Sequence, residues 1–276
     1  MSSNSINTNA QAVFALQSLN KTNSELAGVQ KRVSTGYRVA DARDDGGAFA
    51  VAQAVRSDVA GITAVNEQLG GVKGLLQTTF AALGKVSDTM GQARAALTRL
   101  ADSSLSTEQR SQYNAQYTAL RTQISGFLDD AKYNGRSLLS SAAAGAGNAD
   151  NIKTIQNEEG AQFTVLAVEK ATLLIAAAPA DAAAAVTALN GDFATVESKI
   201  ASALNQFGSD QQYVENQIAF NSDKIDALNS GIGALVDADL AKESAKLQAL
   251  QVRQQLGIQT LGMANQGPQV LLSLFR

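Results

Sequence analysis

The chain has 276 residues, of which 45% are hydrophobic, and a formal net charge of −3. This length allows one or two domains with a sizeable core, and the small net charge gives no attraction for nucleic acid or an anionic membrane. Cysteine and histidine are absent from the sequence, which excludes disulfides and thiolate ligands and removes the commonest general base, so we expect no enzyme, no cofactor and no metal site.

The first predicted element is a helix over about residues 4–33, with an abrupt end. Gly36 can adopt the left-handed conformation that terminates a helix, and Asp44 or Asp45 is predicted to cap the next one. The sequence contains only two prolines, so few breaks are enforced and long helices are favoured. Apolar residues of this first helix recur at helical spacing: Ile6, Val13, Leu16, Leu19, Leu26, Val29 and Val33.

The second predicted helix carries a heptad repeat over residues 51–100. Its core positions advance alternately by four and three residues, as in a coiled coil, and all but Asp58 and Thr79 are apolar: Val51, Val55, Asp58, Ile62, Val65, Leu69, Val72, Leu76, Thr79, Leu83, Val86, Met90, Ala93, Leu97 and Leu100. A helix of this length extends about 75 Å and needs partner helices throughout. The pattern therefore favours association over a compact catalytic pocket.

A third helix is predicted over about residues 107–131, with Ser106 as its N-cap and a turn at residues 133–135, which include Asn134 and Gly135. Its core positions are Tyr113, Tyr117, Leu120, Ile124, Phe127 and Ala131. Beyond it, residues 163–168 and 172–176 are predicted to be two short strands of a hairpin, with a short helix as the alternative.

A second long heptad pattern follows, interrupted by one four-residue stutter, which locally unwinds a supercoil. Its core positions are Phe193, Val196, Ile200, Ala203, Phe207, Gln211, Val214, Ile218, Asn221, Ile225, Leu228, Ile232 and Leu235. Asp237 and Asp239 are predicted to cap a last helix rather than to bind a metal. The apolar residues of that helix and the end of the chain are Leu240, Leu247, Leu250, Ile258, Leu261, Val270, Leu271, Leu274 and Phe275.

Both ends of the chain are poor in charge. Residues 1–30 contain only Lys21 and Glu25 as charged residues, and residues 247–276 contain only Arg253 and Arg276. A surface helix normally carries Lys and Glu on its polar face. A helix enclosed by protein avoids such residues, because burying a charge costs on the order of several kcal/mol. We therefore expect both terminal helices to be enclosed on more than one side, by many copies of the same chain. The alternative is that the ends are disordered in the free monomer.

Several motifs in order resemble those of bacterial flagellin over nearly the whole chain: SINTN at residues 5–9, VSTGYR at 33–38, the Asp pair at 44–45, QTT at 77–79, YNG at 133–135, DAD at 237–239, ANQ at 264–266 and LSLFR at 272–276. The resemblance implies a mainly α fold, a long antiparallel helical coiled-coil rod built from the N- and C-terminal halves, with a small β-hairpin or loop insertion in mid-chain. It also implies a filament subunit, or alternatively a hook–filament junction protein. A cytosolic coiled-coil adaptor is a third interpretation.

The resemblance also implies a domain organisation. Residues 1–40 and 238–276 would form an inner terminal-helix domain, residues 41–139 and 186–237 a helical rod domain, and residues 140–185 a reduced variable region. The residues expected to mediate self-assembly are Ile6, Val13, Leu16, Leu19, Leu26, Val33, Leu247, Leu250, Ile258, Leu261, Val270, Leu271, Leu274 and Phe275.

Partners and location follow from the same resemblance. We expect copies of the chain or paralogous flagellins, the flagellar export apparatus, the filament cap, hook-junction proteins and an export chaperone at the C-terminal helix. Residues 1–8 lack the basic and apolar regions of a signal peptide, so export to the extracellular filament is expected without cleavage. Met90, Gln92 and Arg94 lie in the segment that innate receptors contact in relatives, and Gln92 replaces an Arg there, which predicts weak receptor activation.

Overall fold

A computed structural model describes residues 9–141 and 150–273, with side chains described as far as residue 266. The chain folds mainly into long helices with four short strands, so the predicted fold class, mainly α with a small β insertion, is confirmed. The helices are α1 (Ala10–Thr35), α2 (Gly46–Leu100), α3 (Thr107–Asp130), α4 (Ala182–Ala188), α5 (Ala194–Val236) and α6 (Leu240–Ser273), and the strands are β1 (Leu139–Ser140), β2 (Ile152–Ile155), β3 (Gln162–Val165) and β4 (Val168–Glu169). None of the described helices has the length and apolarity that crossing a membrane requires.

The chain divides into two compact units. Unit 1 consists of Met1–Ser57 and Ala227–Arg276, and unit 2 consists of Asp58–Asp226. Unit 1 therefore combines two segments that are distant in the sequence, whereas unit 2 is one continuous stretch. Each unit has its own buried apolar side chains.

In unit 1, α1 ends at Gly36, which has φ 73° and donates its N–H to the Arg32 carbonyl at 2.9 Å. The chain then forms a bridge between Tyr37 and Asp237, so the segment after α1 is paired with the end of α5. The backbone N–H of Val39 donates to the Val236 carbonyl at 3.2 Å. These contacts hold the two ends of the chain together without a long strand.

In the first turns of α2, the predicted heptad pattern is partly wrong. Val51 is 52% exposed and Asp58 is also exposed, whereas Ala52 is fully buried. The small side chain of Ala52 lies in one cluster with Val39 and Val236. These two valines come from segments outside α2, so the core at this end depends on contacts that the helical pattern does not encode.

In unit 2, the predicted heptad positions are confirmed. Every predicted core residue of α2 from Ile62 to Leu100 is buried, including Thr79, and α3 contributes Tyr117, Leu120 and Ile124 to the same cluster. The same cluster contains Phe193, the residue before α5, and five residues of α5: Val196, Ile200, Ala203, Phe207 and Val214. The regular spacing of four and three residues therefore produces one continuous apolar core.

The insertion of unit 2 contains a hairpin, but its strands differ from the predicted ones. β3 pairs with β2 in antiparallel register, with Ile152 opposite Val165. The predicted second strand is wrong: Lys170–Leu173 is a 3-10 helix, and β4 pairs in parallel with β1. Burial explains the pairing, because Ile152 and Val165 both enter the unit 2 core, which rewards this register.

Candidate self-association site on the terminal helices

The site is built on α1 and α6, which pack side by side in opposite directions. Asn9 Nδ2 donates to the Ala264 carbonyl at 2.7 Å, and Gln254 Nε2 donates to Asn23 Oδ1 at 2.8 Å. Residue numbers thus rise along one helix as they fall along the other. The helices also approach closely: a Cβ at Gly257 would lie 3.2 Å from a methyl of Leu19.

The apolar contact between these two helices is narrow. Leu26, Val29 and Leu250 are buried, and Val33 and Leu247 pack against them half-buried. These residues recur at helical spacing and form one stripe on each helix. A stripe this narrow leaves most of the surface of both helices without a partner in the single chain.

Ion pairs connect the end of α1 with the start of α6 and with the loop that follows α1. Arg32 Nε lies 3.1 Å from Glu243 Oε2, with both side chains partly buried. Lys31 Nζ contacts Asp41 and Asp44, each at 2.9 Å. The hydrogen bond from Lys31 holds the pKa of both carboxyl groups below the ordinary value, and the hydrogen bonds to Asp44 and Asp41 raise the pKa of Lys31. The loop after α1 is therefore a capping and charge-pairing structure.

Large apolar side chains project from this helix pair into solvent. We call them the outward apolar set; each is between 47% and 75% exposed. At 3.6 residues per turn, Val252, Leu256 and Met263 share the side of α6 opposite Leu250. The set consists of Val13, Phe14 and Leu16 on α1 and Leu240, Val252, Leu256, Ile258 and Met263 on α6.

The structure separates the predicted self-assembly residues into groups. Leu26, Val33, Leu247 and Leu250 lie in the contact between α1 and α6, Leu19 and Leu261 are half-buried, and Val13, Leu16 and Ile258 belong to the outward apolar set. Ile6, Leu274 and Phe275 and the side chains of Val270 and Leu271 lie outside the described residues.

Five members of the outward apolar set are not among the predicted self-assembly residues: Phe14, Leu240, Val252, Leu256 and Met263. A second apolar stripe on α6, at Val252, Leu256 and Met263, was the available signal. The predicted self-assembly residues of α6 follow a different stripe, because a surface helix usually has a single apolar face. A helix that is apolar on several sides is instead typical of one that is enclosed by protein.

The capping residues of unit 1 begin α2 and α6. Asp45 Oδ1 accepts the N–H of Ala48 at 3.0 Å, and Asp239 Oδ1 accepts the N–H of Lys242 at 3.1 Å. Asp44 instead accepts backbone N–H groups of the preceding loop. In these positions the carboxylates satisfy N–H groups that have no partner within the helix.

Unit 2 contains the remaining predicted turn residues and the predicted receptor-contact segment. Asn134 and Gly135 have φ values of 50° and 76°, and form the left-handed turn after α3. Met90 is buried in the core, whereas Gln92 is exposed. The guanidinium of Arg94 lies 3.2 Å from the carboxylate of Glu197 on α5.

Comparisons with known proteins agree with this arrangement. A family model described as the bacterial flagellin N-terminal helical region matches residues 6–144, and one described as the C-terminal helical region matches residues 193–275. Flagellin FljK of Caulobacter vibrioides is 36% identical over 279 residues, covering 100% of both chains.

Two solved structures have a similar fold. The crystal structure of Bacillus cereus flagellin aligns with a TM-score of 0.50 and 22% identity, covering 56% of this chain and 88% of that one. A protein described as flagellar hook-associated, from Vibrio parahaemolyticus, aligns with a TM-score of 0.59 and 16% identity, covering 70% and 100%. At these identities the likeness concerns the fold alone.

Proposed function

Because the chain belongs to the bacterial flagellin family, we propose that it is a structural, non-enzymatic subunit that self-assembles head to tail into the extracellular helical flagellar filament used for swimming. The outward apolar set carries the proposal, because it leaves eight large apolar side chains about half exposed in a single chain. At about 1 kcal/mol for each half-exposed side chain, covering the set would contribute roughly 8 kcal/mol per subunit before ordering costs.

The direction of these side chains supports an open assembly. Members of the set project away from the contact between α1 and α6, on both helices, so neighbouring copies are needed on more than one side. Contacts between different surfaces of identical subunits form a ring if the rotation between subunits closes, and a helical fibre if it does not. The terminal segments carry few charges, which keeps the cost of enclosing them low.

The proposed domains follow the same logic. Residues 1–40 and 238–276 form the inner filament-core domain, residues 41–139 and 186–237 form the rod domain, and residues 140–185 form a reduced variable region. The structure supports a small variable region, since its described part contains only four short strands and a 3-10 helix before α4.

The proposed partners are other copies of the chain or paralogous flagellins. The proposed partners also include the flagellar export apparatus, the filament cap, hook-junction proteins and an export chaperone at the C-terminal helix. Nucleic acid and membranes are not proposed as partners. Location in the extracellular filament, after export without a cleaved signal peptide, belongs to the same proposal.

The decisive experiment alters the outward apolar set while keeping the fold. Val252→Asn combined with Leu256→Gln removes two exposed apolar side chains of α6, and the matched control, Val186→Asn with Leu166→Gln, makes the same chemical changes at exposed positions of unit 2. Seeded polymerisation, followed by sedimentation and electron microscopy, should fail for the first variant and proceed for the control. Circular dichroism should show the same helix content in both.

A deletion of residues 247–276 tests the same proposal more coarsely. It should leave unit 2 folded in a chain that does not polymerise. Filaments formed by this truncation, or normal polymerisation of the Val252 and Leu256 variant, would refute the role given to the terminal helices. A closed oligomer with no fibres after seeding would instead indicate the coiled-coil adaptor.

A hook–filament junction protein remains the second candidate, favoured by the likeness in fold to the hook-associated protein. Full-length identity of 36% to a flagellin supports the filament subunit more strongly. The two differ in copy number, so quantitative mass spectrometry of sheared filaments separates them: a major filament component indicates a flagellin, and a trace component indicates a junction protein.

A further inference from the structure

Among the heptad positions of α2 and α5 that the structure shows as buried, Thr79 and Asn221 are polar, and they satisfy their hydrogen bonds differently. Thr79 is fully buried and its Oγ1 donates to the Leu75 carbonyl of its own helix at 2.9 Å. Asn221 is 1% exposed, and its amide bonds to other segments of the chain. Burying an amide is costly unless every polar atom finds a partner, so the position of Asn221 depends on what lies opposite it.

Both polar atoms of the Asn221 amide have hydrogen-bond partners. Its Nδ2 donates to Asn66 Oδ1 of α2 at 2.9 Å and to the Gln156 carbonyl, in the turn after β2, at 3.3 Å. Its Oδ1 accepts from Gln217 Nε2 at 3.1 Å, and the same Gln217 amide donates to the Gln156 carbonyl at 3.1 Å. One buried side chain thus connects α2, α5 and the insertion.

The rest of the contact between α2 and α5 specifies their alignment weakly. The helices run in opposite directions, as the pairs Lys73–Glu215 and Arg94–Glu197 show, but exposed ion pairs contribute little. Apolar residues repeat every seven positions along α2 and, before and after its stutter, along α5. Within each of these stretches a slide of one heptad would still place apolar side chains together.

A one-heptad slide is costly at Asn221. It would bring Val59 or Lys73 to the place of Asn66, and the buried amide would lose its partner on α2. A polar residue at a core position of a coiled coil fixes register in this way, at a cost in stability.

We propose that Asn66 and Asn221 are the register-determining pair of α2 and α5, and that the insertion completes the pair through the Gln156 carbonyl. The insertion is held where this carbonyl is needed: Phe163 stacks on Tyr213 with ring centroids 4.4 Å apart, and Glu158 forms an ion pair with Lys224. The inference concerns the fold of unit 2 and stands apart from the proposed function. A helical assembly would benefit from it, because identical contacts require one register in every copy.

The absence of cysteine from the sequence makes the test direct. Gln77→Cys on α2 and Ser202→Cys on α5, both exposed positions, accept spin labels whose separation is measured by pulsed electron paramagnetic resonance. The parent chain should give one distance distribution. The Asn66→Leu, Asn221→Leu double variant should give a second one, displaced by up to about 10 Å, the axial length of one heptad.

Two further variants make the result decisive. Thr79→Val removes the other buried polar heptad position without breaking a bond between helices, so it should keep the single parental distribution. Asn66→Ala changes a partly exposed residue and should therefore preserve folding while adding the second population. The proposal fails if both asparagine variants keep the single parental distribution, or if Thr79→Val slides as much as they do.

Discussion

Three glycines in α2 provide a matched test of how tightly unit 2 is packed. A Cβ added at Gly70 or Gly71 would meet no atom within 4 Å, whereas at Gly74 it would lie 2.9 Å from Cζ and 3.0 Å from Cε2 of Tyr133. Of these three glycines, only Gly74 therefore permits a close approach, against the residue that begins the turn after α3.

Two opposing contributions, helix propensity and steric overlap, determine how each Gly→Ala substitution changes the melting temperature. Alanine is about 0.8–1 kcal/mol more favourable than glycine in a helix interior, so Gly70→Ala and Gly71→Ala should each raise the melting temperature by roughly 2–4 °C for a chain of this size. At Gly74 the same gain is opposed, because the Tyr133 ring must leave its place. We expect Gly74→Ala to give no increase.

A double-mutant cycle isolates the cause. In a Tyr133→Ala background, Gly74→Ala should regain the stabilisation that Gly70→Ala shows, with a coupling of about 1 kcal/mol. Gly70→Ala should be additive with Tyr133→Ala and serves as the control. Thermal unfolding followed by far-UV circular dichroism measures all six chains. An equal gain for Gly74→Ala and Gly70→Ala in the intact chain would refute the close approach.

Two further predictions concern charge and recognition. Lys224 lowers the pKa of Glu158 through a side-chain hydrogen bond, so the folded state binds that proton less tightly than the unfolded state, and the stabilisation exists above the ordinary carboxyl pKa and is lost as pH falls. Glu158→Gln should therefore destabilise the chain more at neutral pH than at about pH 3, as measured by urea unfolding. An equal loss at both pH values would contradict this cause. In a receptor reporter assay, the purified monomer should activate innate flagellin receptors weakly, because the exposed Gln92 occupies the position at which the resemblance to flagellin implies an Arg. A full response at low concentration would disprove this.

Local patterns determined much of the fold. The heptad positions of α2, α3 and α5 in unit 2 are core positions in the structure, since burial on a helix follows spacings of three and four residues that can be read from the sequence. Ser106 begins α3 with a capping box, in which its Oγ accepts the N–H of Gln109 at 3.2 Å. Such caps depend on residues three positions apart and are readable for the same reason.

The candidate site was predictable only in part. The small number of charges at both ends of the sequence indicates enclosed helices, and helical spacing predicts the apolar stripes that contain Leu26 and Leu250. The sequence does not show which apolar residues stay exposed, because exposure depends on where the partner helix lies. Phe14 and Leu256 are outward only because α1 and α6 meet through another face.

The sequence by itself determined the helices, their caps and the family, since these depend on neighbours within one or two helical turns or on motifs. The tertiary structure decided which strand pairs with β3, why Ala52 rather than Val51 is buried, and that Asn221 meets Asn66 across 155 positions of chain. These outcomes depend on contacts between distant segments, and the same local pattern is compatible with several such contacts.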